Sequence, residues 1–279
     1  MTIGIGVLAS KTELRPDHVI LLADTKGSFG DGFSMDRLHK VFAAPDIGLY
    51  CAAAGLMDRA AELFKVVSLF LTDLKGVVGY GRLFEAAHGA CDSYKRIRFK
   101  YDILPKYAYL IPRLRDDFTE SDLTPTLLAE WQKFDFGCQM IVSSFDTEGK
   151  PYLFVLDGNG QVVNCTFPGF AAIGSGQEQA MFWLSYRQHN LGFSVRRAAY
   201  HAFEAKLMAE SSPFVNEQID IIIASHKMHY IVTRTNPKPD GVPVTIAELR
   251  QLSNKYGPKD TEGMNNKGGK TRAKRRSIS

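Results

Sequence analysis

The chain opens on an alternation. In Thr2-Ile3-Gly4-Ile5-Gly6-Val7, the large apolar side chains fall at every second position and Gly4 and Gly6 fall between them. A period of two predicts a strand with Ile3, Ile5 and Val7 on one face. After a polar stretch containing Pro16, HVILLAD (18–24) is apolar without alternation, which predicts a strand buried on both faces. The Gly-, Ser- and Asp-rich run TKGSFGDGFSMDR reads as a loop. LHKVFAAPDIGLYCAAAG then reads as two short strands around a turn at Pro45-Asp46. From 57 to 75 the period lengthens: Leu63, Val66, Val67, Phe70, Leu71 and Leu74 recur at three- and four-residue steps, and Asp58 lies near the helix start. A second helix over 80–98 carries Leu83, Phe84, Ala87, Ala90, Cys91 and Tyr94 on one stripe. Both stripes are core faces.

Residues 101–134 mix aromatics, charges and three prolines (Pro105, Pro112, Pro125), and read as an insertion with a short helix at 124–133. A meander follows: FGCQMIVSSFD, a turn at Thr147–Lys150, PYLFVLD, a GNG turn, QVVNCTF and FAAIGSG, read as antiparallel hairpins. Two more helices are predicted at 177–189 and 194–210. QIDIIIAS and MHYIVTR then form a closing hairpin, and a last helix falls at 245–255. Strands grouped between helix pairs imply an α+β fold: a four-layer αββα sandwich, two antiparallel sheets between helix layers. The expected organisation is one domain over 1–256 with the insertion at 101–134, then a disordered basic tail at 257–279.

Charge changes this picture only at the end. The formal net charge is +4, but from Lys255 onward eight Lys/Arg face two acids, a net +6 that leaves the body at −2. The basic excess belongs to the tail and gives no specific nucleic-acid groove. No apolar run is long enough to span a bilayer, and MTIGIGVLAS lacks the features of a secretory signal. Cys51, Cys91, Cys138 and Cys165 lie far apart with no zinc spacing, so neither a metal nor a cofactor is expected, and a cytoplasmic location is.

Candidate chemistry begins at Thr2. If Met1 is removed, one residue offers a hydroxyl and an α-amine. An α-amine with a pKa of about 8 can act as base for the hydroxyl beside it. Further along stand Thr2-Ile3-Gly4-Ile5-Gly6, Ala23-Asp24-Thr25, Lys40-Val41 sixteen residues beyond Asp24, Ala52-Ala53-Ala54-Gly55 with Asp58, and Ala171-Ala172-Ile173-Gly174-Ser175-Gly176 opening a helix. In this order these segments resemble the proteasome β-type family, which includes bacterial threonine peptidases that work with an ATPase. The resemblance covers about 2–99 and 136–232. The Thr2–Asp24 interval is longer than the family's, which places an extra turn near Lys11–Pro16.

The resemblance implies roles. Thr2 is the nucleophile, and Lys40 lies beside its hydroxyl, favouring ionisation. Asp24 compensates the buried lysine. A backbone N–H of Ala54 or Gly55 meets the oxyanion. Ser175 orients the Thr2 amine. The family's bracing Asp, Ser and Gly correspond to Glu210, Ser211 and Ser212, where Pro213 and a missing glycine depart from the pattern. The substrate pocket maps to Gly27, Leu38, Phe42, Ala52, Leu56 and Ala60, all uncharged, which predicts a hydrophobic preference. The implied function is a threonine peptidase subunit of a homo-oligomeric, self-compartmentalising ring acting on peptides or unfolded protein, with an ATPase partner left open. Two alternatives stand beside it: a catalytically silent ring subunit that keeps Met1, and an amidohydrolase of the same nucleophile class acting on small amides.

Overall fold

The computed structural model describes residues 2–10, 15–28, 34–35, 38–73, 80–107, 120–211, 215–233, 236 and 239–256. Twelve strands are described: β1 (Ile3–Ala9), β2 (His18–Asp24), β3 (Gly27–Ser28), β4 (Ser34–Met35), β5 (Val41–Ala44), β6 (Leu49–Gly55), β7 (Cys138–Phe145), β8 (Pro151–Leu156), β9 (Val162–Asn164), β10 (Phe170–Gly174), β11 (Ile219–Ser225) and β12 (His229–Val232). Six α-helices join them: α1 (Met57–Asp73), α2 (Tyr80–Asp102), α3 (Pro125–Lys133), α4 (Gln177–Tyr186), α5 (Val195–Ala209) and α6 (Ile246–Tyr256). They form two five-stranded sheets, ordered β10-β1-β2-β11-β12 and β5-β6-β7-β8-β9, with every pairing antiparallel.

The alternation in β1 explains how the layers stack. Ile3, Ile5 and Val7 pack with Ala198, Ala202 and Phe203 of α5. Gly4 and Gly6 face the second sheet. A Cβ on Gly6 would sit 2.8 Å from Ile141 Cγ2, so glycine permits the close approach of the two sheets there. In β2, Ile20 and Leu22 join the helix-facing core while Val19, Leu21 and Ala23 fill the space between the sheets, as its unbroken apolar run predicts. On the far side of the second sheet, Cys51 and Ala53 of β6 pack under Leu63 and Val67 of α1 and Ala90 and Tyr94 of α2. The layers are therefore helices, sheet, sheet, helices.

Two details differ from the sequence reading, and a third adds to it. The run 25–37 is not all loop, because β3 and β4 pair through Gly27↔Met35 and Ser28↔Ser34. The predicted meander stops at β9. β10 crosses to the first sheet and pairs with β1, where Ile173 sits opposite Gly4, whose missing side chain leaves room for it. The stretch read as an insertion supplies core: Leu127 and Trp131 of α3 are buried, and Trp131 meets Phe99 of α2 edge-on with centroids 5.2 Å apart. The extra turn near 11–16 and the basic tail lie wholly or mostly outside the described residues, as does Leu74. Among the described residues, no helix is long and apolar enough to cross a membrane.

Candidate active site

Thr2 stands at the mouth of β1, where three segments converge. β2 ends on Asp24 beside it. β10 ends on Gly174, opposite Ile3. Ser175 follows and grips the Thr2 carbonyl, its N–H donating at 2.9 Å and its Oγ at 3.4 Å. Gly174 has φ of +90°, and a Cβ there would lie 2.1 Å from Thr2 O. Only glycine lets this backbone pass so close to the threonine. Gln139, a polar residue in the apolar strand β7, accepts from Gly174 N at 3.0 Å and ties the second sheet to this point.

The side chains meet within this frame. The Thr2 hydroxyl donates to Asp24 Oδ1 and accepts from Lys40 Nζ. Lys40 Nζ lies 2.9 Å from the same Asp24 oxygen and also donates to the Lys26 carbonyl. Asp24 is further held by Ile3 N at 2.9 Å and Lys26 N at 3.2 Å. Asp24 and Lys40 are 0% and 1% exposed, and Thr2 is 3% exposed. Burial lowers the Lys40 pKa below its ordinary 10.5, while the charge and hydrogen bond of Asp24 pull it back up. The result is a hydroxyl clasped between an ammonium and a carboxylate, beside a cavity of about 350 Å³. Thr2, Gly55, Gln139, Asp157, Asn159 and Ser175 line it.

Strand pairing separates Ala54 from Gly55. Leu56 N donates to Gly137 O, and Ala53 N donates to Lys40 O. N–H groups alternate sides along an antiparallel strand, so Ala54 faces β7. The Gly55 N–H points the other way, past the end of β5.

Ser175 is brought to Thr2 and bonds its carbonyl. Several other predicted residues are not brought to this site. Glu210 closes α5 and accepts from Lys206 Nζ, and Ser211 Oγ donates to Met208 O, so neither braces Thr2. The one-turn spacing of Lys206 and Glu210 along α5 pairs them with each other. Ser212 lies outside the described residues. The predicted substrate-pocket residues whose side chains are described lie outside the lining of the Thr2 cavity. Ala52 is buried between the sheets and Ala60 under α1. Phe42 stacks on Phe64 at 5.5 Å, Leu56 is exposed and Leu38 half-buried, and none of them lines the Thr2 cavity. Gly27 is placed by its β3 pairing, but its burial lies outside the described set. The cavity takes its polar character from Asp135 and Asp157, which come from two loops. Sequence reasoning missed them, along with Gln139, the two backbone bonds of Lys26, and Lys206, which is fully buried near enough to Asp24 to feel its charge. A polar residue inside an apolar strand or helix was the available signal for Gln139 and Lys206.

A larger cavity, about 820 Å³, opens at the other end of β1 beside Ser10, His18 and Ser225. It holds none of Thr2, Asp24 and Lys40. We attach the chemistry to the smaller cavity because the clasped hydroxyl is there. Among the described residues, no group of three or more His, Cys, Asp or Glu could hold a metal ion.

The fold is that of the N-terminal-nucleophile hydrolases. The sequence profile described as Proteasome subunit matches residues 119–212, about a third of the chain, and begins inside the stretch read as an insertion. Among solved structures, the chain is similar to the eukaryotic HslV from Trypanosoma brucei, at 19% identity over 80% of this chain and 99% of that one, with a TM-score of 0.53. It is also similar to an Anbu (Gly-1) mutant from Hyphomicrobium sp. strain MC1, at 14% identity over the whole of both chains, with a TM-score of 0.60. No curated protein matches it.

Proposed function

We propose that this chain is a threonine peptidase subunit whose nucleophile is Thr2, exposed by removal of Met1. The observation that carries the reading is the Thr2 hydroxyl clasped between Lys40 and Asp24 at the edge of a cavity. The freed α-amine takes the hydroxyl proton. Thr2 Oγ1 bonds to the substrate carbonyl carbon, and the carbonyl electrons move to oxygen. The direction of the Gly55 N–H supports it, rather than Ala54, as the donor to that oxyanion. The oxyanion collapses, the C–N bond breaks, and the leaving amine takes the proton from the Thr2 ammonium. Water then hydrolyses the ester by the same route in reverse.

In this reading Lys40 stabilises the developing alkoxide by its charge, Asp24 holds Lys40, and Ser175 fixes the Thr2 backbone. The substrate is a peptide or unfolded protein, and the working form is a homo-oligomeric ring in the cytoplasm, with or without an ATPase. Residues 2–256 act as one hydrolase domain, and 257–279 as a dispensable tail.

One observation favours the alternative of a silent ring subunit. Glu210 and Ser211 are engaged within and at the end of α5 and do not brace Thr2. Peptide turnover by the native chain and by Thr2→Ala separates the two readings. The proposal expects turnover that Thr2→Ala abolishes with the assembly intact. No turnover from a native chain that keeps Met1 supports the silent subunit, and equal turnover by the two chains removes Thr2 as the nucleophile.

A further inference from the structure

Lys40 must be aimed from both ends of a long, flexible side chain. Its ammonium end is held by Thr2, Asp24 and the Lys26 carbonyl. Its backbone end belongs to a short segment, 38–40, that precedes β5. Leu38 N donates to Thr25 O at 2.9 Å, and Ala53 N donates to Lys40 O at 2.8 Å. Those two anchors are backbone bonds and are indifferent to side-chain identity. A third is not. His39 Nδ1 lies 2.7 Å from Asp220 Oδ2.

The two partners are unequal. The Asp220 side chain is 2% exposed and that of His39 is 69% exposed. Asp220 sits in β11 opposite Ala23, the residue before Asp24, so its side chain shares the face on which Ala23 packs between the sheets. Its strand neighbour on that face is Ile222, fully buried in the same core. Burying a carboxylate there is costly where another aliphatic side chain would pack. Burial raises the Asp220 pKa, and the charge and hydrogen bond of His39 offset the rise. The carboxylate therefore reaches out from the core to hold the residue next to Lys40.

We propose that His39 and Asp220 are a positioning pair: their contact fixes the backbone from which Lys40 reaches the Thr2 hydroxyl, and so sets the rate at which Thr2 attacks. The pair rests on the assignment of Thr2 as nucleophile, touches no substrate, and acts through Lys40. A reacting group displaced by about 1 Å can lose rate by up to about a hundredfold. Loss of one of three anchors is expected to cost about tenfold.

The test uses the full-length chain in its native assembly and a β-lactone. Thr2 Oγ1 attacks the lactone carbonyl, the ring C–O bond breaks, and the released oxygen takes the proton. Intact mass shows the adduct, and progress curves give the inactivation constant, kinact, and the half-saturating concentration, KI. His39→Ala should lower kinact about tenfold with KI within twofold, and should lower the melting temperature, because Asp220 is left buried without its partner. His39→Asn, whose amide nitrogen falls near the place of Nδ1, should recover most of both. The double variant His39→Ala/Asp220→Asn removes the stranded charge, so its melting temperature should return while kinact stays low. If kinact returns with the melting temperature, the pair is structural only and the positioning role is overturned. A native chain that takes no label overturns the Thr2 assignment itself, and the pair's role with it.

Discussion

Lys40 Nζ and Asp24 Oδ1 lie 2.9 Å apart with both side chains withdrawn from solvent, and the Thr2 hydroxyl bonds to both of them. A buried ion pair is a poor source of stability, but breaking it from one side is severe, because the surviving charge has neither water nor partner. Lys40→Ala should therefore cost about 3–5 kcal/mol of stability as well as activity. Lys40→Met/Asp24→Asn, which removes both charges and roughly keeps the volume, should recover most of that stability and none of the turnover. Denaturant titration beside a peptide assay checks this. Recovery of activity in the double variant would show that the pair serves packing alone.

The depressed Lys40 pKa fixes the sign of a pH effect. In the proposed mechanism the ammonium stabilises the Thr2 alkoxide only while it is charged. As pH rises through the folded pKa of Lys40, that stabilisation is lost and the rate falls. Because burial places this pKa below 10.5, the alkaline limb of kcat/KM should turn down before a free lysine would. A rate that still climbs at pH 10.5 would remove Lys40 from the mechanism.

Acid should weaken the fold through a second cluster. His189 and His201 are buried with ring centroids 5.8 Å apart, each with an Nδ1 that finds no hydrogen-bond partner among the described residues. Burial pushes both pKa values down to about 4, helped at His201 by His189, Arg197 and Arg187, and at His189 by Arg197. The unfolded chain takes up protons near the ordinary 6.5 while the folded chain does not until about 4. Stability should thus be intact above pH 6.5 and fall as pH drops toward 4, by up to about 1.4 kcal/mol per pH unit for each histidine. His201→Phe should lessen the slope of unfolding free energy against pH between 6.5 and 4.5. An unchanged slope would place the acid sensitivity elsewhere.

Much of this fold is written in local pattern. The alternation of Ile3, Ile5 and Val7 with Gly4 and Gly6 marked the strand, because side-chain period acts within a few residues, while the close sheet contact at Gly6 emerged only in the structure. The interval from Asp24 to Lys40, read with a family resemblance, marked two side chains that do meet. The crossing of β10 was hidden, since FAAIG is equally apolar whichever sheet receives it. The lining of the Thr2 cavity was hidden for a related reason. Position along β6 and α1 does not say that Ala52 and Ala60 face closed core while Asp135 and Asp157 turn into the cavity from loops. His39 and Asp220 are 181 residues apart, and no local period connects them.

The central claim is that Thr2 attacks with its own hydroxyl and its own freed amine. An α′,β′-epoxyketone peptide tests both groups at once: the hydroxyl adds to the ketone, the amine opens the epoxide, and the two bonds close a ring that only an N-terminal residue can form. Mass spectrometry of the treated native assembly should show a chain that has lost Met1 and gained one inhibitor, with the adduct mapped to Thr2 and absent from Thr2→Ala. A native chain that retains Met1, or that carries no adduct at Thr2, would contradict the account.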